Sequence, residues 1–285
     1  MKGMGRFMLL TQPIPFRQNT TLEVADISCP VELRRSARAK RFSLKVSHTE
    51  RAAILTLPNR GRVEDASAFL ARHSEWLKKQ IERLPQPIPF MDGAVVPVRG
   101  EFHRLSFVGA MKYQGVVWVE QFDSAPAISS GSKVDLGKAW RGEFAGAGNV
   151  SKDFLPRLCV SGGANHASRR FTDWLKSEAR KDLAQRVRVH AETLCCAPKR
   201  ISIRDQATRW GSCSTTGTIS FSWRLIFAPP FVLDYVAAHE VAHLREMNHG
   251  PRFWRLVRDA IPEMQRARLW LKTYGAELHR FGALQ

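Results

Sequence analysis

HEVAHLREMNHGPRFW, running from His239 to Trp254, holds three histidines, a glutamate directly after the first of them and an asparagine before the last. On an α-helix His239 and His243 stand one turn apart on one face, so both rings can aim a nitrogen at a single ion. Glu240 is offset from that face by one residue, which lets its carboxylate reach a metal-bound water rather than the metal. Two ligands and a general base on one helix is the spacing that hydrolytic zinc chemistry needs. The preceding residues suit it, because Val232, Tyr235, Val236, His239, Ala242 and His243 share a side while Ala237, Ala238 and Ala242 keep the helix slim enough to be enclosed. Pro229-Pro230 opens the helix, proline being favoured in a first turn.

A catalytic zinc takes a third protein ligand and leaves a position open. His249 lies six residues after His243, the spacing at which a chain leaves its helix, turns and returns a third imidazole. Metzincins make that turn with glycine, in the pattern HExxHxxGxxH, but here the position is Glu246. The turn is therefore expected from Asn248, which tolerates left-handed backbone, with Gly250 after it. Glu246 and Glu263 stay open as alternative third ligands. A closed structural zinc site would need a fourth ligand such as Cys213, the nearest cysteine in sequence.

With 285 residues and 44% hydrophobic content, the chain can bury a sizeable core and is not of disordered composition. No window approaches the roughly 18 apolar residues of a membrane span. Five scattered cysteines, two of them adjacent at Cys195 and Cys196, point to a reducing, cytoplasmic setting. The net charge of +18 is mostly dispersed; its densest run is RRSARAKR at Arg34 to Arg41, with more arginines from Arg252 to Arg268. Such a surface is read as solvated, with nucleic-acid contact as the second reading.

Periodicity divides the chain into an N-terminal extension (1–20), a β-rich N-terminal subdomain (21–119), a Ser-, Gly- and Ala-rich linker or surface insertion (120–154) and a catalytic subdomain (155–285). The first subdomain has strands at VELRRS, RFSLKVS and AAILTLP. One helix from Glu64 to Leu84 follows, and then the strand-like GAVVPVRGEFHRLSFVG and YQGVVWVEQF. In the second, a strand at LPRLCVSG leads to a long amphipathic helix, Ala167 to Leu194. A strand at Arg200 to Arg204, the turn-rich TRWGSCSTTG and a strand from Thr218 to Leu225 come next. The fold class is α+β, with a helix in the β-rich N-terminal part and a zincin-like helical and β catalytic part.

Three blocks taken together, RRSARAKRFSLKV (Arg34 to Val46), TRWGSCSTTGTISFSWRLIFAPPFVLDYVAAHEVAHL (Thr208 to Leu244) and NHGPRFW (Asn248 to Trp254), resemble the YgjP-like zinc metallopeptidases, which are related in pattern to SprT-like and Wss-type proteases. The resemblance implies one Zn2+ held by His239, His243 and His249, a catalytic Glu240 and a peptide or protein substrate. Ser222 stands where asparagine is usual, and Gly250 where serine is usual. Glu240 is expected to take the proton of the attacking water and pass it to the leaving amine. Tyr235, Arg209 and Arg224 are the candidates for steadying the oxyanion, and Asn248 for supporting the ligands. For both arginines a structural bond to backbone carbonyls competes with that role, and Trp210 and Trp223 are read as core. Two rival readings follow: a protease recruited to nucleic acid by its basic surface, and a zinc-stabilised binding module without activity.

Overall fold

The computed structural model describes residues 20–22, 30–47, 52–109, 115–120, 155–206 and 208–282. Most of the expected N-terminal extension and of the 120–154 insertion lies outside these residues. The chain divides into two compact units, residues 1–84 and 85–285. Three small sheets and six α-helices make the described part an α+β protein.

In the first unit, β1 (Thr20–Leu22), β2 (Val31–Ser36), β3 (Ser43–Ser47) and β4 (Ala52–Pro58) form a sheet in the order β1-β2-β4-β3. β2 runs parallel to β4 with Leu33 opposite Leu55, and β3 runs antiparallel to β4 with Val46 opposite Ala53. One face is closed by Ala66, Leu70 and Leu77 on helices α1 (Val63–Arg72) and α2 (Ser74–Glu82), which pack on Val31, Leu33, Ala53, Leu55 and Leu57. The single helix expected from Glu64 to Leu84 is broken at His73, whose φ of −110° and ψ of 10° leave the helical region. There the His73 ring stacks on Phe69 at 4.2 Å and its Nδ1 bonds the Phe69 carbonyl at 2.8 Å, a local competitor to helix continuation. Trp76 on α2 is left 43% exposed. Part of the basic run is structural: the Arg35 guanidinium donates to the carbonyls of Asn59 (2.9 Å) and Gly61 (2.8 Å).

The second unit begins with strands that the sequence pattern groups with the first. β5 (Val95–Val98), β6 (Glu101–Val108), β7 (Val117–Glu120) and β8 (Arg157–Ser161) form one sheet, β5-β6-β8-β7, in which β6 pairs parallel to β8. Local hydropathy cannot show that pairing, because β6 and β8 are separated in sequence by β7 and by the stretch read as a linker or surface insertion. The β5–β6 hairpin turns on Arg99 (φ 53°) and Gly100 (φ 82°), both positive, as a two-residue turn of matching twist requires.

Helix α3 (Ala164–Thr193) buries Ala167, Phe171, Leu175, Ala179, Leu183, Val187 and Ala191. A strict four-residue step drifts about 40° per step around a helix of 3.6 residues per turn, so the buried stripe winds around α3 and meets different partners along its length. It lies against β6 and β8, against the 3-10 turn Trp223–Phe227 and helix α4 (Pro230–Ala242), and against β9 (Arg200–Arg204). The third sheet, β10-β11-β9, comes partly from the segment read as turns: β10 is Gly211–Cys213 and pairs antiparallel with β11 (Thr218–Ser222). The strand expected to reach Leu225 stops at Ser222, where the Ser222 hydroxyl accepts from the Arg224 amide (3.4 Å) and starts the 3-10 turn. After α4 come α5 (Pro251–Ala260) and α6 (Met264–Tyr274).

Three polar clamps hold α3, α4 and the C-terminal turn together. Arg99 donates to Asp182 (2.8 Å) and Glu178 (2.7 Å) on α3, while its amide bonds the Ile226 carbonyl (2.7 Å). His190 on α3 meets Asp234 on α4 at 2.7 Å. Arg224, 3% exposed, pairs with Asp205 (2.8 Å) and donates to the Phe281 carbonyl (2.7 Å). Removing one member of a buried, bonded ion pair strands its partners. Arg224→Met, which keeps most of the volume, is therefore expected to cost about 3 kcal/mol, read as a lowered urea midpoint with unchanged m; a loss within error of zero would contradict the clamp.

Candidate metal and catalytic site

Helix α4 is apolar on nearly every side, with Val232, Leu233, Val236, Ala237, Ala238, Val241 and Ala242 all buried, so it is a core helix rather than a surface one. His239 and Glu240 lie in its last turn and His243 caps its end with φ −64° and ψ −19°. The chain then tightens: the amides of Arg245 and Glu246 both bond the Ala242 carbonyl, and the Gly250 amide bonds the Asn248 carbonyl at 2.7 Å. Neither Asn248 nor Gly250 has a positive φ, Gly250 being extended at φ −78°, ψ −177°. The left-handed turn expected at Asn248 is thus replaced by this tight pair of bonds, and Pro251 starts α5 directly after it. Glu246 fits where a glycine was looked for because no left-handed backbone is needed there.

This turn brings His249 back to the helix. Donor atoms of His239, His243 and His249 all lie within 4.8 Å of one another, and Nε2 of His239 is 3.1 Å from Nε2 of His249. Tetrahedral zinc with ordinary Zn–N bonds would want its donors about 3.4 Å apart. The donor set therefore suits one such ion. The His243 Nδ1 faces the Glu246 carbonyl at 3.1 Å, so with the proton on Nδ1 its Nε2 is left as the free donor atom. Phe253, fully buried on α5, lies under all three rings with centroids 4.8, 4.4 and 4.6 Å away. Trp254 closes one side, 5.9 Å from His239 and 5.7 Å from His249. Burial, joined by the neighbouring rings, lowers the pKa of His239 to about 4, and burial lowers that of His243 as well. Both are held as the neutral imidazoles that bind metal.

Glu240 is 5% exposed, and its Oε2 is buried with no hydrogen-bond partner among the described residues. Burial pushes its pKa up to about 7 against the opposing charge of Arg209. Its carboxylate lies against Gly211 of β10, where an added Cβ would meet Oε1 at 2.5 Å. The Cys213 thiol on the same strand, pushed up to about 11 by burial and by Glu240, bonds the Ser214 carbonyl at 3.5 Å and is not part of the histidine cluster.

Of the residues singled out on sequence, the fold assembles His239, Glu240, His243 and His249 with Tyr235, whose ring centroid is 5.9 Å from that of His239. Arg209 is close enough to Glu240 to act on its charge, and Asn248 is exposed in the turn. Arg224 is committed elsewhere by its clamp. Glu263 is the N-cap of α6, 3.6 Å from Arg266, and Glu246 offers His243 its carbonyl, so neither carboxylate joins the cluster. Trp223 is 2% exposed and Trp210 stacks on His279 at 4.9 Å, both packing residues. Sequence reasoning gave no role to Phe253 or Gly211. The signals were a phenylalanine one turn beyond the last histidine and a glycine inside RWGSC with no turn to make.

Residues 145–274 match the family model described as YgjP-like, metallopeptidase domain. No curated protein matches the chain. Among solved structures, the metallopeptidase zymogen of Pyrococcus abyssi abylysin is 21% identical, over 32% of this chain and 93% of that one, with a TM-score of 0.29, too low for any conclusion to rest on it. The matched region contains helices α3 to α6, all three histidines and Glu240, so over these residues the chain is similar to the YgjP-like metallopeptidase domain.

Proposed function

We propose that the chain is a zinc-dependent peptidase in which His239, His243 and His249 hold one Zn2+ and Glu240 is the general base. The observation that carries this reading is the buried, partnerless Oε2 of Glu240 beside three converging imidazoles. A buried carboxyl without a hydrogen bond costs the fold about 1–3 kcal/mol, a cost that goes unexplained in a purely structural site. A zinc ion held there would polarise the scissile carbonyl and acidify a water. Glu240, with a pKa raised to about 7, is matched to taking a proton at Oε2 near neutral pH and returning it to the leaving amine. Gly211, having no side chain, leaves room for the other carboxylate oxygen. Tyr235, one turn before His239, is the candidate donor to the oxyanion, with Arg209 second; Asn248 supports the turn that returns His249. β10 is an edge strand beside Glu240, suited to pairing with an extended peptide.

A reducing, cytoplasmic setting goes with this reading, since the four described cysteines are free. No helix among the described residues is long and apolar enough to cross a membrane.

Glu240→Gln is expected to keep one zinc per chain and to lose peptide cleavage by about 10²- to 10⁴-fold, whereas His249→Ala loses the zinc. Equal cleavage by Glu240→Gln would sink the general-base role, and full zinc in His249→Ala would sink the third ligand. Gly211→Ala should leave zinc content intact and lower kcat at least tenfold, because its methyl displaces the carboxylate; an unchanged kcat would refute the cradle.

Burial of Glu240 also makes a stability prediction for metal-free protein. Its folded pKa is raised above 4.5, so the fold is favoured below that value and loses stability as pH rises through about 7. Urea unfolding should show wild type losing about 3 kcal/mol relative to Glu240→Gln across this window. Parallel pH curves for the two proteins would contradict it.

A further inference from the structure

Two exposed arginines flank the three-histidine site from different elements. Arg209 lies two residues before Gly211, against which the Glu240 carboxylate rests, so its backbone is within about 7 Å of that contact. Arg268, on α6, sets its guanidinium over the Trp254 ring at 4.9 Å, and Trp254 in turn lies against His249 and His239. Arg268 is therefore on the histidine side of the site, and Arg209 on the glutamate side. Neither arginine has a carboxylate in hydrogen-bond or ion-pair distance among the described residues. By contrast, Arg99 and Arg224 of this unit are spent on ion pairs within the fold. Arg266, beside Arg268, stacks on Phe231 at 4.2 Å and adds a third positive charge along α4, shared with Glu263.

Cations left without a carboxylate partner on the rim of a reaction centre favour an oppositely charged ligand, and do so most at low ionic strength. Bound metal would add positive charge at the centre, where the Glu240 carboxylate lies against Gly211 and Glu246 contributes its backbone carbonyl to His243. The ligand that also fits the edge strand β10 is an extended chain whose side chains alternate, reaching Arg209 from one side and Arg268 from the other. A nucleic acid suits the site less well, because Arg268 covers one face of Trp254 and the His239 and His249 rings lie beside it, so this indole is not a free platform for a base.

We propose that Arg209 and Arg268 make the site selective for acidic peptides, with Asp or Glu side chains flanking the bond that is cut. This rests on the peptidase reading above and names its substrate class. The test uses zinc-loaded full-length protein and two peptides of one sequence, carrying Glu or Lys on both sides of the scissile bond. Each is measured for kcat/KM and, as a labelled ligand of zinc-loaded Glu240→Gln, for Kd by anisotropy. The Glu peptide is expected to be favoured about tenfold or more at 50 mM salt, with the ratio falling toward one at 1 M. Arg268→Glu and, independently, Arg209→Glu each shrink or invert the ratio, whereas Arg180→Glu, exposed on α3, leaves it alone. A ratio within twofold of one, or one that survives both rim variants, overturns the proposal. Selective binding with neither peptide cleaved keeps the acidic preference and overturns the peptidase reading instead. Displacement of the Glu peptide by a 12-nucleotide single strand at lower concentration than by unlabelled Glu peptide would show that the arginines serve nucleic acid, and would also overturn it.

Discussion

Enclosure of helix α4 is the constraint on which the second unit depends. A carboxyl with a pKa near 7 and a His239 imidazole that stays neutral down to about 4 need an environment with little water. α4 obtains it by being apolar almost all round, and a helix of that kind has to be covered on every side. α3, the 3-10 turn before α4, strand β10 and the two helices after it do the covering.

Apolar contact alone would let these elements slide, since hydrophobic burial has no direction. The polar clamps supply the direction. His190 to Asp234 fixes α3 against α4, and Arg99 ties the β5–β6 hairpin to α3 and to the residues just before α4. Arg224 ties the 3-10 turn to the C-terminal carbonyls. Each is geometrically specific because a guanidinium fork or a ring nitrogen accepts few orientations. The histidine cluster inherits its precision from them, and Phe253 supplies the flat floor on which three rings can converge.

Much of this was legible along the chain. The two histidines and the glutamate follow from helical spacing, which is a local property, and Pro229-Pro230 marks the start of their helix. The long helix showed itself by its four-residue step, and β2, β3, β4 and β9 by their alternation. Less legible were the break at His73 and the strand hidden in TRWGSCSTTG, because β10 is only Gly211–Cys213 and is defined by its partner β11 rather than by its composition. Grouping of the strands from 95 to 120 needed the parallel partner β8, many residues away.

By itself, the sequence determined the chemistry on offer: three imidazoles, one carboxylate in the base position and a helix to carry them, because spacing of 3.6 residues per turn links position to face without reference to anything distant. Tertiary structure alone decided how the third ring returns, since the turn uses bonds to Ala242 and Asn248 in place of left-handed backbone at Asn248. It also decided which arginines are paired with a carboxylate and which stand at the rim. Arg224 and Arg268 look alike in a sequence, and only packing places one against Asp205 and the C-terminal carbonyls and the other on the rim beside Trp254. The physical reason is that a charge is defined by its partners and its exposure, and both are long-range properties of the fold.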